Sequence, residues 1–288
     1  MARPSTLLAL GALAAAAVAC APVDDTAGTA APAPSVSTAC TKDQLKLVNA
    51  GKLTIGTDKP AFEPWFKDDD PSNGQGFESA VAFAVAGELG FDRDEVQWST
   101  VKFDSAFAPG AKPFDFDINQ VSISPKRAQA VDFSKGYYTV KQAVVTVDGG
   151  KFAGATTLAE LKDAKFGVQV GTTSLAAVQE IIKPGEEPNV YNDQGDAISA
   201  LKNKQVDAVV VDLPTAFYVT AAQVENSKIV GQFSSTGGAP EEFGLVMEKG
   251  SPIKSCVDKA VDALKSKGEL AKIEQEWLSS AAGAPELK

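Results

Sequence analysis

The chain contains no histidine. Imidazole is the commonest general base near neutral pH and a frequent metal ligand, so its absence argues against serine or cysteine triads and most zinc sites. It leaves carboxylate chemistry open. No metal and no cofactor are expected. Long basic runs are also missing: 27 basic against 37 acidic residues give a net charge of −10, and binding to nucleic acid is not expected. No internal repeat is visible. The apolar run Leu7–Val18 is too short to span a bilayer comfortably, and the sequence shows no signalling domain. What is present is a chain of 288 residues, 44% hydrophobic, enough for one large or two ordinary domains.

The N-terminal run follows Arg3 and ends in Ala17-Val18-Ala19-Cys20. Small residues before a cysteine resemble the lipobox of bacterial lipoproteins, with Ala17 where leucine is common. That implies a signal peptide over residues 1–19 and lipid on Cys20. An ordinary signal peptide cut nearby is the alternative. Residues 21–39 are rich in Ala, Pro, Ser and Thr and cannot bury a core. Residues 20–40 are therefore expected to be a flexible linker, reaching roughly 25 Å. With Cys20 lipidated, Cys40 and Cys256 are left as a pair in an exported, disulfide-permissive setting. Two unrelated buried thiols are the alternative.

From residue 52 onward, strand and helix signals alternate. Leu53-Thr54-Ile55 reads as a strand and Phe77–Leu89 as a helix with Phe77, Val81 and Val85 on one face. Strands are expected at Lys165–Val170 and Val206–Val211, and helices at Ala197–Lys202, Ile253–Lys265 and Leu270–Leu278. Tyr138–Val145 and Glu242–Val246 read as extended crossings between two lobes. Ser124 and Pro125 read as the cap and first residue of a helix, which places Arg127 in a first turn that favours anions.

Four strand-to-loop corners then carry polar groups: Thr57-Asp58, Asn119 to Arg127, Gly171 to Ser174, and Asp212. Ligands of α/β sheets bind at such corners. Arg127 could grip a carboxylate with a planar fork, and Asp212 an ammonium. Ser122, Thr173 and Ser174 offer amides and hydroxyls, and Phe62 and Phe103 could wall an aliphatic stem. Each has a plainer reading. Asp212 suits a helix cap, Thr172-Thr173 a helix start, Asp58 a turn cap, and the two phenylalanines a core.

The motifs Gly51-Lys-Leu-Thr-Ile-Gly-Thr-Asp58, Gly76-Phe-Glu78, Ser122-Ile-Ser-Pro-Lys-Arg127 with Val131-Asp-Phe-Ser134, Gly167-Val-Gln-Val-Gly-Thr-Thr173, Val206-Asp-Ala-Val-Val-Val-Asp212 and Glu242-Phe-Gly-Leu-Val246 follow in order. Over residues 42–280 the chain resembles the bacterial extracellular solute-binding proteins, family 3, which serve polar amino-acid ABC importers. The resemblance implies an α/β, two-lobed periplasmic-binding-protein-like fold of type 2 with two hinge strands. Lobe 1 would take residues 41–141 and 245–288, and lobe 2 residues 142–244. It implies Arg127, Ser122 and Thr173 on the ligand α-carboxylate and Asp212 on the α-ammonium. Asp58 would face the ligand side chain, with Phe62 and Phe103 as walls. Asn119 and Gln120 stand where the family often has small residues, and are expected to narrow the pocket and bond a polar, amide-like or basic side chain. The implied partners are an amino acid and membrane permease subunits, for a monomer held outside the cytoplasm by its lipid. An enzyme related to cyclic carboxylic acid dehydratases, using acids such as Glu63, Glu78 or Glu241, and a ligand-sensing subunit are the alternatives.

Overall fold

The run Leu53-Thr54-Ile55 lies in a strand buried along its whole length, β1 (Leu53–Thr57). It pairs in parallel with β2 (Val96–Thr100) and β3 (Phe116–Asp117), and Thr54 and Thr57 are buried in it along with Leu53 and Ile55. A computed structural model describes residues 40–236, 239–279 and 283–288. The expected signal peptide, Cys20 and all of the linker before Cys40 lie outside the described residues. Two more strands, β4 (Val131–Phe133) and β12 (Val246–Glu248), complete a first sheet of order β2-β1-β3-β12-β4. The second sheet has the order β10-β6-β9-β7-β8. Its strands are β6 (Gln142–Val147), β7 (Phe166–Gln169), β8 (Asn189–Tyr191), β9 (Ala208–Asp212) and β10 (Ser227–Phe233). Each sheet is the floor of one lobe.

Helix α1 (Phe77–Glu88) lies on the first sheet with Phe77, Val81 and Val85 buried. Gly76, just before it, has φ +92°, and a Cβ there would sit 2.5 Å from the Trp65 carbonyl oxygen. Only glycine allows that approach. Helices α6 (Lys254–Ser266) and α7 (Glu269–Leu278) pack on the same core through Ile253, Val257, Val261, Leu270 and Ile273. Cys256, on the buried face of α6, is bonded to Cys40, with a Cα–Cα distance of 5.3 Å. In the second lobe, α3 (Thr173–Ala177), α4 (Gln194–Lys202) and α5 (Leu213–Tyr218) start at the ends of β7, β8 and β9. Among the described residues no helix is long and apolar enough to cross a membrane.

The chain passes between lobes through β5 (Tyr138–Val140) and β11 (Glu241–Phe243), which pair antiparallel. These hinge strands are shorter than the extended segments read from the sequence, because residues 142–147 and 246–248 enter the two sheets. Trp65 is fully buried beside them. Its ring meets Phe77, Tyr138 and Phe243 edge-on, 5.6–5.9 Å between centroids, and its indole N–H donates to Thr215 Oγ1 of α5 at 2.9 Å. One aromatic thus joins the first core, the hinge and the second lobe, a role that composition alone does not reveal.

The C-terminus departs from the expected boundaries. Residues 283–288 do not stay with the first lobe. Gln232 of β10 donates to Pro285 O at 2.8 Å, and Leu287 donates to Gln232 O at 2.9 Å. The Leu287 side chain is buried in the second-lobe core. The physical cause is the edge of β10, whose free backbone groups take up an extra extended segment.

Candidate functional site

The corners picked from the sequence converge on one cleft between the lobes, of about 310 Å³. Its lining includes Asp58, Phe62, Phe103, Asn119, Gln120, Thr173, Ser174 and Asp212. Ser122 and Arg127, 2% and 8% exposed, are not among the lining residues; Ser122 Oγ lies 3.4 Å from Oγ1 of Thr173, which is.

Arg127 does not sit on an α-helix. The expected helix after Ser124 is one 3₁₀ turn, Arg127–Gln129, although Ser124 Oγ does accept from Arg127 N at 3.2 Å. A single turn has no developed helix dipole, so the positive charge at this corner is that of the guanidinium itself. Its position is set by tertiary contacts. Nη1 donates to Ser122 O at 2.7 Å, and Nη2 reaches across the cleft to Gly171 O at 2.9 Å. The plane lies over Phe107, 4.4 Å from its centroid, with Phe103 at 5.6 Å. Helix α2 (Phe103–Ala106) presents the Phe103 ring, and Phe107 is the residue at its C-terminal end. Burial lowers the Arg127 pKa to about 10, opposed by the carboxylates of Glu241 and Asp212. The group stays cationic at neutral pH.

The opposite pole is acidic. Asp212 ends β9 ahead of α5, but its side chain makes no capping bond. Instead Oδ1 accepts from Gln142 Nε2 at 2.7 Å. The same nitrogen reaches Glu241 Oε2 at 3.3 Å, and Ser174 Oγ donates to Gln142 Oε1 at 2.5 Å. Burial first, then the neighbouring Glu241, raises the Asp212 pKa well above the usual carboxylate range. An ammonium placed here would supply the missing countercharge. Glu241 Oε1 accepts from Ser122 Oγ at 2.5 Å, and Thr173 Oγ1 lies 3.4 Å from that hydroxyl. The Ser122 proton is therefore committed to Glu241, leaving its oxygen as an acceptor on the side of Thr173.

Other assignments change. Asp58 is at the cleft wall, yet Oδ1 accepts from Lys59 N at 2.7 Å and Oδ2 from Phe103 N at 3.0 Å. It braces the loop that presents Phe103 while lending its charge to the cleft. Gln120 does not point its amide at a ligand: its Nε2 and backbone N–H both turn back to Glu78. Asn119 is buried with its Nδ2 unpartnered. Thr172 uses its hydroxyl as the cap of α3, accepting from Leu175 N at 3.0 Å, which leaves Thr173 at the cleft. Phe62 faces the second lobe, its Cζ 3.5 Å from where a Cβ on Gly195 would be. Sequence reasoning did not single out Gln142, Phe107 or Trp65, and it weighed Glu241 only as a possible catalytic acid. Among the described residues no cluster of His, Cys, Asp or Glu could hold a metal ion.

Asp117, paired in β3 opposite Gly56, is fully buried and both its oxygens lack a partner. Burial, then the charges of Glu78 and Asp58, push its pKa well above normal. A raised folded-state pKa stabilises below the unfolded value and loses that contribution as pH rises. Asp117→Asn should melt roughly 2–4 °C above wild type at pH 8, with a smaller gap at pH 5. Scanning calorimetry at the two pH values checks it; an unchanged or lower melting temperature at pH 8 counts against it.

Residues 53–280 match the profile of the bacterial extracellular solute-binding proteins, family 3. A probable histidine-binding protein of Campylobacter jejuni is 30% identical over 220 residues, 75% of this chain and 80% of that protein. An ancestral arginine-binding protein solved with arginine superposes with a TM-score of 0.65 at 32% identity, over 79% of this chain and 98% of that one. The arginine-, lysine-, histidine-binding protein ArtJ of Geobacillus stearothermophilus gives a TM-score of 0.67 at 25% identity, over 79% and 95%.

Proposed function

The chain belongs to the bacterial extracellular solute-binding proteins, family 3, and from that premise we propose that it captures a polar or basic amino acid for an ABC importer. One observation carries the reading. A buried Arg127 and a buried acidic pole, Asp212 beside Glu241, come together where the lobes meet, with Asp212 in the cleft lining and Arg127 bonded across to Gly171 O. A zwitterion leaving water needs a partner for each charge, and neither lobe alone has both. The carboxylate joins Arg127, and the ammonium joins Asp212 and the acceptor oxygen of Ser122. Thr173 closes over the carboxylate from the second lobe, and Ser174 holds Gln142 in line with Asp212.

The side-chain end of the cleft favours polar or cationic ligands. Asp58, Asp104, Asp193 and Asp212 outnumber Lys59 and Lys102 in the lining, and Lys59 leans to Asp69 at 3.4 Å. Phe62 and Phe103 flank the stem. Hinge motion about β5 and β11 admits and traps the ligand. In the same proposal lipid on Cys20 anchors the protein outside the cytoplasm, residues 20–40 tether it, and it meets the permease as a monomer. The acidic pair is given no catalytic step, since Gln142, Ser122 and Ser235 already bond its oxygens.

Titration calorimetry of the mature protein with L-arginine, L-lysine, L-histidine and L-glutamine, extended to the other amino acids, tests the reading. One-to-one binding by at least one of them, lost in deaminated and decarboxylated analogues, is expected. Absence of binding to every amino acid would overturn it.

A further inference from the structure

The Gly76-Phe-Glu78 motif has no contact with the cleft, yet its acid holds part of it. Glu78, the second residue of α1, is fully buried. Three donors converge on its carboxylate. Gln120 N donates to Oε1 at 2.7 Å, Gln120 Nε2 donates to Oε2, and the Tyr137 hydroxyl donates to Oε1. Two of them come from one residue that lines the cleft. Gln120 is held at φ +49°, a left-handed conformation that a side chain resists. The strained corner lies between Asn119, which also lines the cleft, and the Ser122 that meets Arg127 and Glu241. Tyr137 directly precedes hinge strand β5, so one carboxylate joins helix, cleft loop and hinge.

We propose that Glu78 is a positioning residue for ligand capture, fixing the left-handed Gln120 corner so that Asn119 and Ser122 face the ligand. The proposal rests on the cleft being the amino-acid site. Stability alone does not account for the acid. Burial pushes its pKa up to about 7 against the three hydrogen bonds, so the ionised group is a cost to the fold at neutral pH. The other titratable groups around it, Tyr137, Asp117 and Asp212, offer no cation to offset that cost. A fully buried carboxylate that costs stability yet binds the cleft loop twice has its use in the loop.

The test is Glu78→Gln in the full folded domain, with the best-binding amino acid of the calorimetric panel as probe. The substituted amide cannot accept from both Gln120 donors, so affinity should fall roughly ten-fold. The melting temperature at pH 8 should hold or rise, opposite to what loss of a structural bond would do. In ligand-free protein the Gln120 amide resonance should shift, and should lose the pH dependence expected of it in wild type from ionisation of Glu78. Gln120→Gly supplies a second background, since glycine adopts φ +49° without strain. There, Glu78→Gln should cost less affinity than it does in wild type. Equal cost in both backgrounds, or affinity lost only in step with melting temperature, overturns the proposal. Should wild type bind no amino acid, the functional reading fails separately. The Gln120 resonance still decides then: left unmoved by Glu78→Gln, it refutes the positioning role.

Discussion

Arg127→Ala should weaken amino-acid binding on the order of 100- to 1,000-fold while the protein stays folded. Arg127 is 8% exposed, and its fork is held by contacts within the protein itself. Ser122 O and Gly171 O each take one of its N–H groups, and Phe107 supports its plane. The remaining N–H groups of a guanidinium so held meet a carboxylate with little loss of freedom. Truncation removes the cation and leaves the ligand carboxylate buried without a partner, and this mismatch dominates the cost. The acidic pole then prevails, since Arg127 is the cation that offsets Asp212. Arg127→Lys should recover part of the affinity, because an ammonium keeps the charge but not the two-pronged geometry. Calorimetry measures the affinity, and circular dichroism with a thermal melt measures the fold. An Arg127→Ala protein that binds as tightly as wild type would end the carboxylate assignment.

Opening the Cys40–Cys256 bond should be the largest single loss of stability, about 2–5 kcal/mol. The two residues are 216 apart in sequence, so the bond closes nearly the whole described chain into a loop. Chain-entropy reasoning puts the upper figure near roughly 5 kcal/mol. Cys256 is 1% exposed among Val257, Val261 and Leu264 on α6, and Cys40 packs against the same cluster. Reduction thus also frees the first residues of the domain from the helices that close the first lobe. A melt with and without reductant should show a fall of roughly 5–15 °C. Neither cysteine lines the cleft, so ligand affinity at room temperature should be nearly unchanged. Equal melting temperatures in both conditions would show that the bond contributes nothing.

Much of the scaffold is legible in the chain because it depends on local pattern. Val206–Val211 is apolar except for Asp207, and its Ala208–Val211 part lies in central strand β9. Ile253, Val257, Val261 and Leu264 recur at helical spacing and form the buried face of α6. The site is legible where polar residues stand at strand ends, as Asp212 and Thr173 do. It is not legible where strand parity decides. In Glu241-Glu242-Phe243 both acids look alike, but pairing with β5 turns Glu241 inward with Phe243 and leaves Glu242 half-buried. Gln142 reads as one polar residue at the start of a β-branched run. Only β6 lying beside β9 brings it opposite Asp212.

The sequence by itself determined the class of molecule. Alternating strand and helix periodicity, polar strand ends and one arginine after Ser-Ile-Ser-Pro-Lys set out an α/β trap for a zwitterion, because each signal spans only a few residues and survives without the fold. Tertiary structure alone decided which atoms do what. It turned Gln120 away from the ligand and onto Glu78, committed the Ser122 proton to Glu241, tied Asp58 into a loop, and drew residues 283–288 onto the second lobe. Each outcome depends on groups 42 to 119 residues apart in the chain, or on a free strand edge. Hydrogen-bond polarity and burial are properties of such neighbours, and no local pattern carries them.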